Sequence, residues 1–290
     1  MGLRRWIVRR GVVRHPVVAL RAAAAQLGIE GVAVRVPTTS ALHRAGGGEL
    51  VELPLDPIIA TTVLARGTWQ PETVEFLAAH APSAPTVLVD VGAHVGLVTR
   101  ALRHRVPSIA WAVCVEPHPV HVEYLRRNLA RLDRWHVVEA ALDATEGPRT
   151  LLEDRENGGN CSIHPAALVG RPHTTRTVRC IAPTTASLLA SVPPALADAP
   201  VLWKSDTQGS DEAIMTALPD AFWDRVVAGC MELWRMERAP FERDRLASVL
   251  ARFDRLVFSH RPTERATLDD VLAWVAGRDD AQCDLYFARG

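Results

Sequence analysis

Apolar positions along the 290 residues fall into two textures. Between residues 31 and 60, valine and leucine alternate with polar residues and are broken by Gly and Pro, as in GVAVRVP and ELVELPLD. That period of two predicts short antiparallel strands. ETVEFLAAHA, at 72–81, then places its apolar residues at helical spacing. From PTVLVDVG onward, short runs that are apolar throughout alternate with amphipathic ones. The pattern predicts a buried strand at 86–91, a glycine turn, a helix at 95–104, the strand IAWAVCVE and the helix PVHVEYLRRNLARL. The strand WHVVEA follows, then a polar stretch containing ENGGNCS, strands near 176–182, the strand PVLWKSD, a helix at 210–217 and the strand RVVAGCMELW. A helix-strand succession ending in CDLYFARG closes the chain.

Fully apolar strands separated by helices signal a parallel sheet covered on both faces. The expected architecture is therefore α/β and Rossmann-like, with a mostly parallel central sheet preceded by an N-terminal extension. Residues 1–50 are expected to form a basic arm, a helix and short strands, and 51–290 the main domain. In such sheets ligands bind beyond the carboxyl ends of the strands, where the connection order reverses. Those ends carry Asp90 to Gly92, Glu116, Glu139 to Asp143, Asp206 to Gly209 and Glu232 to Trp234.

Composition narrows the partner. With 33 acidic and 33 basic residues the chain has no overall charge with which to grip nucleic acid or an anionic bilayer. A small molecule or oligosaccharide is the expected partner, and a homodimer is compatible with the sequence. Five scattered cysteines, none in a CxxC pair, argue against a disulfide framework or a structural zinc site and suit a reducing cytoplasm. The opening MGLRRWIVRRGVVR is basic, but recurring arginines break the apolar core that a signal peptide needs, and no apolar run is long enough for stable membrane insertion. It reads as a basic arm leading into a helix around PVVALRAAAAQL.

The turn DVGAHVG places Gly92 and Gly96 between a strand and a helix, where the missing Cβ permits unusual φ and close ligand approach. Its G-x-x-x-G spacing departs from the G-x-G-x-x-G that cradles a dinucleotide pyrophosphate. With the acid Asp90 before it, the turn suits a ligand without phosphate whose amine needs a carboxylate, such as S-adenosyl-L-methionine (SAM). Glu116, at the tip of the next strand, can accept both ribose hydroxyls of an adenosine cofactor. His94 lies in the turn, and Asp143 follows the third strand; both are candidates for the cofactor side.

These motifs resemble those of the FkbM-type SAM-dependent methyltransferases. DVGAHVG is similar to that family's glycine turn, VEPHP to its acid-proline step, and KSDTQGSD to its later lysine-aspartate-glutamate signature; GTWQPE and NGGNCS extend the resemblance over roughly 50–235. It implies a class I methyltransferase fold and O-methylation of a saccharide or secondary metabolite. This chain departs from the family at His94, which replaces an asparagine, and at Gln208 and Asp211, which replace glutamates. No role of that first glutamate transfers to Gln208.

Lys204 is the only lysine in the chain. Alternate residues of a strand share a side, so Lys204 and Asp206 are expected to point together about 7 Å apart and to meet. Asp206, at the strand tip, is the first candidate for the base or positioning group in methyl transfer, and Lys204 would orient it. A neutral Lys204 with a pKa lowered by burial is the rival base. His164 is a third catalytic candidate, in a segment 157–164 that Gly158 and Gly159 leave free to close over the acceptor, with Asn160, Ser162 and Gln208 as acceptor ligands. His118 and His121, at a helix start, are expected to be solvated. No histidine pair has metal-site spacing, although Asp206 and Asp211 with waters could hold Mg²⁺. Trp69, Trp203 and Trp234 lie near strand ends and are given no ligand role. The competing functions are a nicotinamide-dependent oxidoreductase and a non-catalytic binding protein that keeps the fold.

Overall fold

The alternating apolar residues of GVAVRV and ELVELP form two strands, β1 (Gly31–Val36) and β2 (Glu49–Pro54), paired antiparallel with Val34 opposite Val51. The computed structural model describes residues 31–36, 49–56, 58–235, 238–277, 279 and 281–290. The basic arm and the helix expected at 16–27 lie outside them. Val34, Val51 and Leu53 of the hairpin pack with Ile59, Ala60 and Val63 of α1 (Ile59–Arg66) and with Tyr124. The expected boundary at residue 50 thus falls inside a strand.

A βα alternation follows. It comprises α2 (Pro71–Ala79), β3 (Thr86–Val91), α3 (Leu97–Arg105), β4 (Ile109–Val115), α4 (Pro119–Leu129) and β5 (Trp135–Val138). A second group comprises β6 (Ala141–Leu142), β7 (Gly147–Asp154), β8 (Cys161–Ser162) and β9 (His173–Ile181). The chain finishes with α5 (Thr185–Leu189), β10 (Val201–Ser205), α6 (Asp211–Ala217), α7 (Asp220–Trp223), β11 (Val226–Trp234), α8 (Arg243–Leu250), β12 (Arg255–Phe258), α9 (Leu268–Val275) and β13 (Gln282–Ala288).

Among the described residues seven strands make the central sheet in the order β12-β13-β11-β10-β3-β4-β5. The pairs β10–β11, β10–β3, β3–β4 and β4–β5 are parallel, whereas β13 runs antiparallel to both β11 and β12. This is the Rossmann-like class I methyltransferase arrangement, with the order reversing between β3 and β10. The strands read as continuous apolar runs because both faces are covered. On one face Val87, Val89, Val113, Val201 and Trp203 pack against the second-half helices through Ile214, Phe222, Leu246 and Val271. On the other, Leu88, Ala112 and Leu202 meet Val74 and Leu77 of α2 and Val98 and Leu102 of α3.

The polar middle of the chain builds a second sheet, of order β6-β9-β7-β8. Its long antiparallel pair aligns Gly147 with Cys180 and Asp154 with His173. The strand expected near 176–182 therefore starts at His173, and β7 has no counterpart in the hydrophobic pattern. In both strands most outward positions are polar, so little periodic apolar signal marks them.

Candidate functional site

A cavity of about 500 Å³ opens at the carboxyl ends of β3, β4, β10 and β11 and beside the start of β13. It lies where the strand order reverses, the expected position for a ligand in an open α/β sheet.

At its β3–β4 end, Gly92 has φ +70° and Gly96 φ +80°. A Cβ on Gly92 would lie 1.9 Å from the Asp206 carbonyl oxygen, and one on Gly96 2.5 Å from Leu125 Cδ1. Both glycines are thus demanded by backbone conformation and by neighbouring protein. Gly92 lines the cavity, while Gly96 lies behind its wall and starts α3. Glu116, 4% exposed, also lines it. Its Oε2 accepts the His94 N–H at 2.8 Å, and its Oε1 accepts the His118 N–H at 2.9 Å and faces His121 Nδ1 at 3.5 Å. Burial works against the charge, but His121 and the two backbone donors outweigh it and hold the carboxyl below its ordinary value. Each carboxylate oxygen offers two lone pairs, so Glu116 retains acceptor capacity toward the cavity.

His118 and His121 are buried at 6% and 5% exposure, contrary to the solvated helix start expected from the sequence. His118 Nδ1 caps α4 by accepting from the Val120 and His121 N–H groups, its Nε2 is 3.2 Å from Glu153 Oε1, and its ring stacks on His121. Burial lowers the His118 pKa to about 4. The His94 ring lies 4.1 Å from that of His121, and burial, then His121, Lys204 and His118, push its pKa well down. His94 Nε2 is buried without a hydrogen-bond partner on a residue that lines the cavity.

The lone lysine does not pair with Asp206. Lys204 Nζ lies 3.1 Å from Asp90 Oδ1 and donates to the Gly92 carbonyl at 2.7 Å and the Val91 carbonyl at 3.5 Å. Lys204 and Asp90 are register partners on adjacent parallel strands. Neighbouring strands are about 4.8 Å apart, closer than alternate residues of one strand. Burial lowers the Lys204 pKa, but Asp90 and then Asp206 outweigh it and raise the net value, so the ammonium form persists and the neutral-base reading fails. Asp90 is 1% exposed, accepts from Thr99 Oγ1 at 2.6 Å, and lies beneath the cavity wall as a counter-ion.

Asp206 lines the cavity just beyond β10. Its N–H donates to the Val91 carbonyl at 3.1 Å, and two carboxamides hold its side chain: Gln70 Nε2 donates to Oδ2 at 2.9 Å and Gln208 Nε2 to Oδ1 at 2.8 Å. Gln208 Nε2 also lies 3.1 Å from Glu232 Oε2. Glu232 and Asp284, opposed across β11 and β13, line the same end of the cavity. Burial, then the neighbouring Asp206 and Asp211, drive the Glu232 pKa well up; burial, then Asp206, raises that of Asp284 to about 7. Asp211 is fully buried, its Oδ2 accepts from Thr207 N and Oγ1, and burial first raises its pKa to about 6. It caps its own turn and does not line the cavity. Among the described residues no group of three or more His, Cys, Asp or Glu is placed to hold a metal ion, so Mg²⁺ at Asp206 and Asp211 gains no support.

The 157–164 segment is tied by hydrogen bonds to Asp56 and Asp154. Asp56 Oδ2 accepts the Gly158 N–H, while Asp56 Oδ1 takes the Ile58 and Ile59 N–H groups at the start of α1. Asn160 lines the cavity and donates to Asp154 Oδ2 at 3.0 Å. Ser162 and His164 lie outside the lining: Ser162 Oγ donates to the Gln208 carbonyl at 2.7 Å, and His164 Nε2 lies 2.9 Å from Ser210 Oγ. Both brace the turn that presents Gln208. Asp143 also lies outside, accepting from Thr145 N at 2.9 Å and facing Arg149 at 3.6 Å, while Ala140, Ala141 and Leu142 supply that wall. Trp69 lines the cavity; Trp203 and Trp234 are core residues.

Sequence reasoning assigned no role to Gln70, Glu232, Asp284 or His121. Glu232 was legible as a strand-end acid and Gln70 within GTWQPE, but Asp284 enters from an antiparallel strand whose direction the pattern does not reveal.

No family model matches the chain, and no curated protein matches it. Among solved structures, the methyltransferase FkbM from Methylobacillus flagellatus is similar at 14% identity and TM-score 0.40, over 71% of this chain and 44% of that one. The METTL16 MTase domain aligns at 13% identity and TM-score 0.40 over 87% of this chain and 77% of that one, and the 23S rRNA methyltransferase ErmE at 13% and 0.37 over 77% and 69%. The chain spans less than half the FkbM structure. The fold assignment itself rests on the strand order and on the single reversed strand, β13.

Proposed function

We propose that residues 51–290 form a SAM-dependent O-methyltransferase domain acting on a hydroxyl of a saccharide or secondary metabolite. The observation that carries this reading is one cavity with two chemically distinct ends. At one, an ionised Glu116 is fixed by backbone donors; at the other, an oriented Asp206 faces open space. The residues fit the cofactor: Glu116 has acceptor capacity left for ribose hydroxyls, Gly92 brings backbone to the wall, and His94 offers an unpartnered ring nitrogen. His94 and Glu116 would hold it, with Ala140 to Leu142 as apolar wall. When bound, SAM supplies an electrophilic methyl group on a sulfonium.

The chain's own contribution is alignment and proton removal, since transfer to a hydroxyl needs an acceptor oxygen placed for in-line attack. Asp206 takes the hydroxyl proton on the oxygen it turns toward the acceptor, while Gln70 and Gln208 fix the carboxylate plane. Lys204, tied to Asp90 and the Gly92 carbonyl, joins the glycine turn to β10 and so sets the distance between the two ends.

Calorimetric titration with SAM and with NADH tests the cofactor, and incubation with methyl-labelled SAM and a panel of sugars and hydroxylated metabolites tests the acceptor. SAM binding with label transfer is the expected result. NADH binding without SAM binding would replace this reading with an oxidoreductase.

A further inference from the structure

Among the described residues four non-glycine residues adopt left-handed backbone, and three of them, Gln70 (φ 45°), His94 (φ 50°) and Gln208 (φ 55°), line the cavity. Such conformations cost on the order of 1 kcal/mol or more and concentrate where the fold needs a side chain in one place. The two glutamines come from distant parts of the chain, Gln70 at the start of α2 and Gln208 in the turn before α6, yet their carboxamides converge on one carboxylate. Each takes a different Asp206 oxygen, which fixes rotation about the Cβ–Cγ bond and leaves the other lone pairs free. Gln208 does more: its single NH₂ group, with two hydrogens to give, lies within hydrogen-bond distance of both Asp206 Oδ1 and Glu232 Oε2. The turn that presents it is braced by Ser162 on its carbonyl and by the His164–Ser210 contact.

We propose that Gln70 and Gln208 are positioning residues that clamp the Asp206 carboxylate toward the acceptor, and that residue 208 is uncharged because it also bridges Asp206 to Glu232. This rests on Asp206 being the group that receives the acceptor proton. A glutamate at 208 would bring a further carboxyl to a place where Asp206, Asp211 and Asp284 already bear on Glu232. It would offer no donor to either neighbour while ionised.

The test compares Gln208→Gly, Gln208→Glu and Gln70→Ala with the unaltered chain. Gln208→Gly removes the carboxamide while relieving the left-handed backbone, so it is expected to melt no lower than the unaltered chain. All three variants should bind SAM within about twofold, because none touches Glu116 or the glycine turn. Gln208→Gly and Gln70→Ala should lose about tenfold or more in kcat with acceptor KM changed less than about threefold, the mark of an interaction used in the transition state. Gln208→Glu should move the acid limb of the kcat/KM profile to higher pH, because a like charge favours protonation. A readout independent of turnover is the Glu232 carboxyl titration, followed by carbon-13 NMR and assigned with Glu232→Gln. It should shift upward by on the order of half a unit in both residue-208 variants and stay put in Gln70→Ala. An unmoved Glu232 titration in Gln208→Gly, or a kcat within twofold in that variant, overturns the clamp. Absence of SAM binding by the unaltered chain would instead remove the methyltransferase reading, and the Glu232 titration would still decide whether Gln208 forms the bridge.

Discussion

The two ends of the cavity both present carboxylates, and they handle them in opposite ways. At the β3–β4 end, Glu116 is surrounded by fixed donors, two of them backbone N–H groups, and is held ionised. At the β10–β11–β13 end, Asp206, Glu232 and Asp284 crowd together, with the Gln208 carboxamide bridging Asp206 and Glu232, and the Glu232 and Asp284 pKa values rise. Burial penalises the charged form at both ends. What differs is whether the fold aims N–H dipoles at the carboxylate or places another carboxylate beside it. The first arrangement suits permanent recognition of hydroxyls, the second suits proton exchange.

The largest effect is expected at the seam joining the two ends. Lys204→Met should destabilise the fold by about 3–5 kcal/mol in denaturant unfolding, because it leaves Asp90 buried and unpaired. A loss below 1 kcal/mol would mean that the pair does not hold the ends together. Next, Asp206→Asn should reduce turnover by about 10²-fold or more while SAM affinity stays within about twofold, so that proton removal resides at one end alone. Glu116→Ala should do the reverse, weakening SAM binding by about 1.5–3 kcal/mol, the range for hydrogen bonds to a charged group. Equal effects of both substitutions on SAM affinity would erase the division.

The smallest effect is a pH dependence of opposite sign at the two ends. Glu116 and His118 have lowered folded-state pKa values, so the folded state binds fewer protons there and stability is lost as pH falls through the acid range. Asp284 is raised to about 7. Its contribution is fully present below the ordinary carboxyl value and is lost as pH rises through neutrality. Asp284→Asn should therefore match the unaltered chain near about pH 4 and exceed it by on the order of 1 kcal/mol at about pH 8, as measured by chemical denaturation. The side chain is only partly enclosed, which keeps the gain below what the shift alone would give.

Particular elements mark how far the sequence could be read. Each strand of the parallel core announced itself as a run such as TVLVDV or VLWKS because it is apolar on both faces. Strand β7 did not, and β9 did only over its last residues, since their outward residues are Arg, Thr, Glu and His and their pairing supplies the order. Among candidate residues, Gly92, His94, Glu116, Asn160, Lys204, Asp206 and Gln208 all line one cavity. Asp90, Gly96, Asp143, Ser162 and His164 lie behind it, each engaged by a neighbour that is remote in sequence or that the pattern does not orient.

The features legible in one chain are periodic and local: which segments are buried strands, where a glycine turn must follow a strand, and which acids stand at strand ends. Pairing was decided only in three dimensions. The lone lysine meets Asp90 because adjacent parallel strands bring side chains closer than two positions along one strand do. Two glutamines separated by 138 positions meet on Asp206 because α2 packs across the sheet on Leu88, Leu202 and Ala228 with Gln70 at its N-terminus, while Gln208 follows β10. Register and strand direction set such distances, and a single chain's hydrophobic pattern encodes neither.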